Sequence, residues 1–459
     1  MVNLSVEEII KATGGKLICG DVNTQISSVV IDSRKVKYGS LFVAFKGEKV
    51  DAHDFVSKAF EDGALAAIVE VRHDDVSKDG VLIEVENSKK ALQSLAKYYR
   101  NKFNIPIVGV TGSVGKTTTK EMIYAALSET LDVLKTEGNY NGQLGLPLTL
   151  LNLEKNHQIA VIEMGVSEFG EMDILADIAN VDMGVITNIG VSHIENFKKV
   201  ENTRDEKLKL INKKEGKFFL NGDNPLLMDV PDYIKSRTTY FGLNGNYKYK
   251  AEDIFSNGES TSFVLKTNEF RETINIPCIG MHNVYNALAA ISVAMEVGVH
   301  IDDIKKGLMK YKGLDMRQQI LHVGNITIID DSYNASPDSA KSAISVLRSL
   351  ESDGKNIVVM ADMLELGDES ESVHKSIGRY MAFEGVDILI TVGEMGRCIS
   401  EGAESSGQSI TVMHCENNKD AADKLLSFVS DGDKVLVKGS RGMHTEEIVI
   451  ILKNQLKSE

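Results

Sequence analysis

The stretch "GVTGSVGKTTTKEM", residues 109–122, departs from the usual nucleotide-binding loop. That loop reads G-x-x-x-x-G-K-[ST]. Counting back from Gly115 puts Val110 where the first glycine is expected, and a glycine stands at Gly112 instead. The physical requirements are still met. A phosphate cradle needs backbone N–H groups converging on anionic oxygens at a helix N-terminus, a lysine for the outer phosphates and a hydroxyl for Mg²⁺. Gly112, Gly115, Lys116 and Thr117 supply these. An apolar strand, "IPIVGV", leads into the loop and a helical run, "KTTTKEMIYAALSETL", leads out of it. The segment Gly112, Ser113, Val114, Gly115, Lys116, Thr117 and Thr118 is therefore the expected ATP contact.

Outward from the loop, strand-like and helix-like runs alternate: "QIAVIEMG", "EMDILADIA", "VDMGVITNIG", "VENTRDEKLKLI", "GKFFLNGD". Such alternation predicts a mostly parallel sheet with covering helices. Upstream, "ISSVVID", "SLFVAF", "LAAIVEV" and "VLIEV" with one helix near Ser57 to Asp62 predict a small α/β unit. The run "SKKALQSLAKYYRNKF" connects it as an amphipathic helix through Leu92, Leu95, Ala96 and Tyr99. Between about Thr238 and Pro277 the pattern turns hairpin-like, then returns to a helix at "NVYNALAAISVAMEVG". A third alternating series runs from "NITIIDDSYNASPDSAKSAISVLRSL" through "NIVVMADM", "VDILITVG" and "DKVLVKG". The expected fold is α/β in three domains: an N-terminal α/β domain (1–82), a central P-loop domain with a mostly parallel sheet (83–312) and a C-terminal Rossmann-like domain (313–459). At 459 residues the length suits about three cores.

Hydrophobic residues at 42% and charged residues at 25% are the balance of a globular chain. A net charge of −15 argues against nucleic-acid or anionic-membrane surfaces, and no basic patch offsets it. The acidic start "MVNLSVEEIIKATGG" is unlike a signal peptide, and no apolar run reaches the roughly eighteen residues of a span. A cytoplasmic protein without a membrane span is expected. Cys19, Cys278, Cys398 and Cys415 are too far apart for a zinc knuckle and are expected as buried thiols.

A P-loop site takes an acidic residue from the end of a neighbouring strand to complete its metal shell. Glu163 ends "QIAVIEMG" in that position, although a glutamate after a strand is more often solvated. His193 follows the next apolar strand and should emerge at the same carboxyl edge, where open α/β sheets bind ligands.

Eight motifs in order, "TGSVGKTTTKEM", "GNYNGQLGLPLTL", "EMGVSEFGEM", "TNIGVSHIENF", "GMHNVYNALAA", "DDSYNASPDS", "ADMLELG" and "VLVKGSRGMHTEEIV", resemble the Mur ligase superfamily of peptidoglycan synthesis. With the N-terminal "DSRKVKYGSLFVAFKGEKVDAHDF" the resemblance covers nearly the whole chain. "DDSYNASPDS" and "VLVKGSRGMHTEE" look like the MurF family within it. The family's loop is T-G-x-x-G-K-T-[ST], so Val110 follows the family's own variant. The resemblance implies an ATP-dependent amide ligase joining D-alanyl-D-alanine to UDP-N-acetylmuramoyl-tripeptide through an acyl phosphate; a monomer is expected, although sequence alone does not set the oligomeric state. It implies Lys116 on the transferring phosphoryl group, Thr117 and Glu163 on one Mg²⁺, and His193 on a second. It also implies a carbamylated Lys207 as a metal ligand, with Lys209, Lys213 and Lys214 close enough to compete for that register. Asn139 and Asn141 would lie by nucleotide and substrate, with Gly142 where a further asparagine is common. His282, Asn283 and Asn286 would face adenine, and "HN" at 282 would otherwise read as a helix cap. Arg317 and Asp331 would close over ATP, with Tyr333 and Asn334 near substrate, about a hinge at "YKGLDMRQQ"; otherwise "DSYNASPDS" reads as a helix-capping loop. Asp32, Ser33 and Arg34 would belong to the UDP-sugar site.

Rival readings are a sister ligase adding one amino acid, a P-loop kinase or switch NTPase, and a non-catalytic nucleotide-binding module. Lysine and diaminopimelate stay equally open as the tripeptide's third residue.

Overall fold

The computed structural model describes residues 1–47, 50–70, 80–213 and 215–456. Lys214, Val71 of "LAAIVEV", and Glu48 and Lys49 of the N-terminal motif lie outside the described residues. Two compact units divide the chain, and each is built from several segments.

The first unit comprises Met1–Thr111, Thr130–Val185 and Glu206–Phe218. Its five-stranded sheet has the order Lys16–Cys19, Val81–Glu84, Ala64–Val69, Ser40–Val43, Ser28–Val30. All neighbours are parallel except the Lys16–Cys19 edge. A parallel strand covered on both faces reads as a continuous apolar run, and "ALAAIV" does so. Val56 and Ala59 of the helix Val56–Glu61 pack with Phe42, Ala67 and Leu82. The helix Ser88–Arg100 starts on Asn87, whose side chain accepts from Lys90 N–H. It buries the expected stripe of Leu92, Leu95, Ala96 and Tyr99, and the Tyr99 hydroxyl donates to the Leu153 carbonyl at 2.6 Å. The helix Val6–Thr13 was not read from sequence, although its capping box of Ser5 and Glu8 is visible there. The unit also holds the strands Val133–Lys135, Ile159–Glu163 and Ile107–Thr111, side by side and parallel.

The second unit comprises Gly112–Glu129, Ile186–Asp205 and Phe219–Glu459. The helix Lys116–Leu127 packs on Met281–Glu296 and Ile301–Met309. The hairpin-like region is four strands, Thr238–Gly242, Tyr249–Ser256, Thr261–Lys266 and Arg271–Ile276, the first pair parallel and the rest antiparallel. The third series forms a six-stranded sheet ordered Gln319–Val323, Ile326–Asp331, Lys434–Lys438, Asn356–Ala361, Ile388–Val392, Thr411–Cys415. Only the first of these runs antiparallel to its neighbour. Alternate side chains enter two cores, Ile329, Val358, Met360, Leu389 and Leu436 on one face and Ile328, Ile357, Val359, Ile390 and Val435 on the other.

The cysteine expectation needs correcting: Cys415 is buried, whereas Cys19, Cys278 and Cys398 are half-buried and all four are free. The helix expected from Asn283 begins two residues earlier, at Met281, with Gly280 at its cap. "HN" is therefore inside the first turn and is not the cap. The capping reading holds for the other motif, since Ser336 and Ser339 form a capping box on the helix Pro337–Ser349.

Candidate nucleotide and ligase site

The strand Ile107–Thr111 is fully buried and delivers the chain to the loop. In the second unit Gly112 has φ 149 and Gly115 has φ 83, a left-handed cap on the helix Lys116–Leu127. Neither position accepts a side chain. A Cβ on Gly112 would meet Thr187 Oγ1 at 2.0 Å, and one on Gly115 would meet Asn286 Oδ1 at 2.9 Å. The segment after the next strand holds the loop open: Ser113 N–H donates to the Asn188 carbonyl at 3.0 Å and Val114 N–H to Asn188 Oδ1 at 2.9 Å. Ser113 Oγ donates to the Gly190 carbonyl at 3.1 Å, and Thr187 Oγ1 to the Val114 carbonyl at 2.5 Å. Lys116 curls back so that Nζ donates to the carbonyls of Gly112 (2.9 Å) and Ser113 (3.3 Å). Thr117 is nearly buried in the first helical turn, where N–H groups lack intrahelical partners and favour anions. Burial pushes the pKa of the Tyr311 hydroxyl well up. Gly112→Ala is expected to cost about 1–3 kcal/mol through overpacking and to lower affinity for ADP. Paired thermal unfolding scans with and without ADP check both.

Asn283 and Asn286 are buried and form a relay beneath this helix. Asn286 Oδ1 accepts from Thr119 Oγ1 at 2.9 Å, Asn286 Nδ2 donates to Asn283 Oδ1 at 3.1 Å, and Asn283 Nδ2 donates to the Ile279 carbonyl at 2.8 Å. His282 has its Nδ1 2.8 Å from Ser342 Oγ, and burial, aided by the Lys438 charge, takes its pKa from 6.5 to about 4. The folded state thus binds fewer protons than the unfolded one between those values. Stability from this neutral imidazole is full above about pH 6.5 and is lost as pH falls towards about 4, at up to about 1.4 kcal/mol per pH unit. His282→Gln should lose less stability than the parent between pH 7 and pH 5 in urea unfolding; equal losses would place the imidazole in water.

At the carboxyl ends of adjacent parallel strands, Asp331 and Lys438 are register partners. Lys438 is buried, and its Nζ donates to Asp331 Oδ2 at 2.5 Å and the Asn334 carbonyl at 2.9 Å. Burial raises the Asp331 carboxyl above its ordinary pKa, against the pull of Lys438. Gln318 N–H donates to Asp331 Oδ1 at 3.2 Å. The Arg317 guanidinium lies 4.1 Å from the Tyr333 ring centroid, with Arg441 at 5.8 Å from the same ring. Met316 and Gln318 flank Arg317 at φ 58 and 51, and Gly313 takes φ 75. His193 begins a short helix at φ 52, with Nδ1 2.6 Å from Glu365 Oε2.

In the first unit Glu163 pairs in register with Val110, at the carboxyl end of the strand beside the one that enters the loop. It is buried rather than solvated; its N–H donates to Thr136 Oγ1 at 2.9 Å and its Oε1 accepts from Asn141 Nδ2 at 2.8 Å. Asn139 is exposed, and Gly142 has open space around it. Lys207 is buried, 1% exposed. Lys209, paired with Asp173 and Glu206, and Lys213, paired with Asp182, are both more exposed. Burial thus separates Lys207 from those two neighbours. Asp32 caps the turn Ser33–Lys35 and binds the Arg34 side chain at 2.9 and 2.8 Å, which holds its carboxyl low. The Arg34 guanidinium is exposed, and Lys35 Nζ donates to the Tyr140 hydroxyl at 2.8 Å.

Sequence reasoning gave no role to Lys35, Tyr140, Thr187, Asn188, Glu365, Lys438 or Arg441. All seven lie inside motifs that mark the resemblance, which is the signal that could have found them.

A phosphate loop on a parallel strand, with an acidic side chain at the end of the neighbouring strand, defines a nucleotide-dependent α/β enzyme. The Mur ligase family catalytic domain matches residues 25–100, the Mur ligase middle domain 110–294, and the Mur ligase glutamate ligase domain 316–441. The chain belongs to the Mur ligase family. It is 40% identical to the UDP-N-acetylmuramoyl-tripeptide–D-alanyl-D-alanine ligase of Bacillus subtilis (strain 168), over 98% of each chain. Among solved structures it is similar to MurF from Acinetobacter baumannii, with TM-score 0.90 and 31% identity, covering 98% of this chain and 99% of that one. It is also similar to MurF ligase from Thermotoga maritima in complex with ADP, with TM-score 0.83 and 30% identity, covering 94% and 98%.

Proposed function

We propose that the chain joins D-alanyl-D-alanine to UDP-N-acetylmuramoyl-tripeptide, with ATP converted to ADP and phosphate, in peptidoglycan precursor synthesis. The observation that carries the reading is the Gly112–Lys116 cradle within a chain so closely matched, end to end, to ligases of that name. In the proposed reaction a carboxylate oxygen of the tripeptide attacks the γ-phosphorus and ADP leaves. The dipeptide amine then attacks the acyl carbon, and phosphate departs with that oxygen as the amine loses its proton. Lys116 and the first-turn N–H groups offset charge on the moving phosphoryl group. Asn141 holds Glu163 in place. Arg317, stacked on Tyr333, and Asp331, held by the buried Lys438, would contact nucleotide, with Tyr333 and Asn334 near substrate. Asn139 and the turn of Asp32, Ser33 and Arg34 contact the UDP-linked substrate, and His282, Asn283 and Asn286 shape the adenine side.

Mg²⁺ favours oxygen donors and keeps several waters or phosphate oxygens. Among the described residues no three His, Cys, Asp or Glu side chains gather as a metal site. One such ion would take the Thr117 hydroxyl and the Glu163 carboxylate, completed by phosphate oxygens. His193, with a Lys207 carbamate, would hold a second. The carbamate would supply the hard oxygen donor that Mg²⁺ favours. A bound Mg²⁺ would neutralise phosphate charge. Domains at 1–82, 83–312 and 313–459, a monomer and a cytoplasmic setting complete the reading; no helix among the described residues is long and apolar enough to cross a membrane. The test offers D-alanyl-D-alanine and single amino acids as acceptors to one UDP-muramyl-tripeptide pool. Amide product with the dipeptide alone supports the reading, while preference for a single amino acid moves the chain to a sister activity.

A further inference from the structure

Two strained loops face each other in the second unit. His193 follows the strand Met183–Ile186 and sits at φ 52; Glu365 follows the strand Asn356–Ala361 and sits at φ 64. Histidine is among the side chains that visit the left-handed region, but a glutamate seldom does, and strain like that at Glu365 persists where the surroundings over-determine it, often at functional sites. The surroundings here are specific. Val191 and Ile194 of the first loop pack on the core that contains Met363 and Leu366 of the second. Glu195 N–H donates to the Glu365 carbonyl at 3.3 Å, joining the two backbones beside the paired side chains. His193 Nδ1 then lies 2.6 Å from Glu365 Oε2, close but away from the line of an ideal hydrogen bond.

A carboxylate on one ring nitrogen of a histidine sets the tautomer and ring orientation and leaves the other nitrogen to bind a metal. We propose that Glu365 is a positioning residue: it holds His193 through Nδ1, so that Nε2 is the atom presented to a divalent cation. The inference rests on the reading of His193 as a metal ligand. It ties the cation site to the "ADMLELG" loop of the C-terminal sheet, so that the ion is bound well only when that loop is in place.

The test is a Mn²⁺ titration of the full chain with saturating ADP, free Mn²⁺ being counted by electron paramagnetic resonance. Glu365→Asn and Glu365→Asp are nearly isosteric, and both tolerate a left-handed backbone, so a folding defect common to both cancels in the comparison. His193→Gly suits the φ of 52 and removes the imidazole. The expected result is that His193→Gly removes one class of bound Mn²⁺. Glu365→Asn should weaken that same class about 10–100-fold, and Glu365→Asp should retain more of it. Unchanged Mn²⁺ binding in His193→Gly overturns the metal-ligand reading itself. A loss in His193→Gly with none in Glu365→Asn, or equal losses in the Asn and Asp variants, overturns the positioning role alone.

Discussion

Lys116→Ala is expected to lower amide formation by about 10³-fold or more while the chain stays folded, because a cation placed on a transferring phosphoryl group contributes on that scale. The side chain is exposed enough to reach a ligand, yet its Nζ is held 2.9 Å from the Gly112 carbonyl within its own loop. Its removal therefore takes charge from the cradle while the contacts of Ser113 and Val114 with Asn188 keep the loop's shape. Product quantified by mass spectrometry, beside circular dichroism melts of both proteins, separates the two effects. Turnover within a few-fold of the parent would remove the loop from the chemistry.

The second large effect is expected at Lys207. Loss of one preorganised charge contact in a dry site costs about 10²–10³-fold, and Lys207→Ala should show a loss of that size. A small carboxylate such as formate or acetate in the assay should restore part of the activity, since it can supply the oxygen ligand. Lys207→Met keeps the length and the apolar stem, so it should fold as the parent does and be equally inactive without rescue. Full activity in either variant would move the role away from Lys207.

The parts of the fold that could be read in advance are those where burial leaves a periodic mark. "IAVIE" is apolar until its last residue because both faces of that strand are covered, and the Leu92, Leu95, Ala96 and Tyr99 stripe has one buried side. The edge strands Gln319–Val323 and Thr411–Cys415 escaped because they are half-exposed and carry polar residues in both faces. The loop Gly112–Lys116 and Glu163 could be read because their chemistry needs a fixed spacing and a strand end. Pairings such as His193 with Glu365, Lys35 with Tyr140 and Asp331 with Lys438 join residues far apart in the chain, and no local pattern announces them. Burial was the other hidden variable: in a lysine-rich run, sequence does not say that Lys207 faces inward and Lys209 outward.

In the proposed reaction the phosphoryl group passes to a substrate carboxylate before the amide forms. An isotope experiment tests it most directly. UDP-muramyl-tripeptide labelled with ¹⁸O in its terminal carboxylate is incubated with the chain, ATP, Mg²⁺ and D-alanyl-D-alanine, and the released phosphate is analysed by mass. One ¹⁸O is expected in each phosphate, in step with ADP and the new amide. Phosphate without label, or ADP formed with no amide, would contradict it.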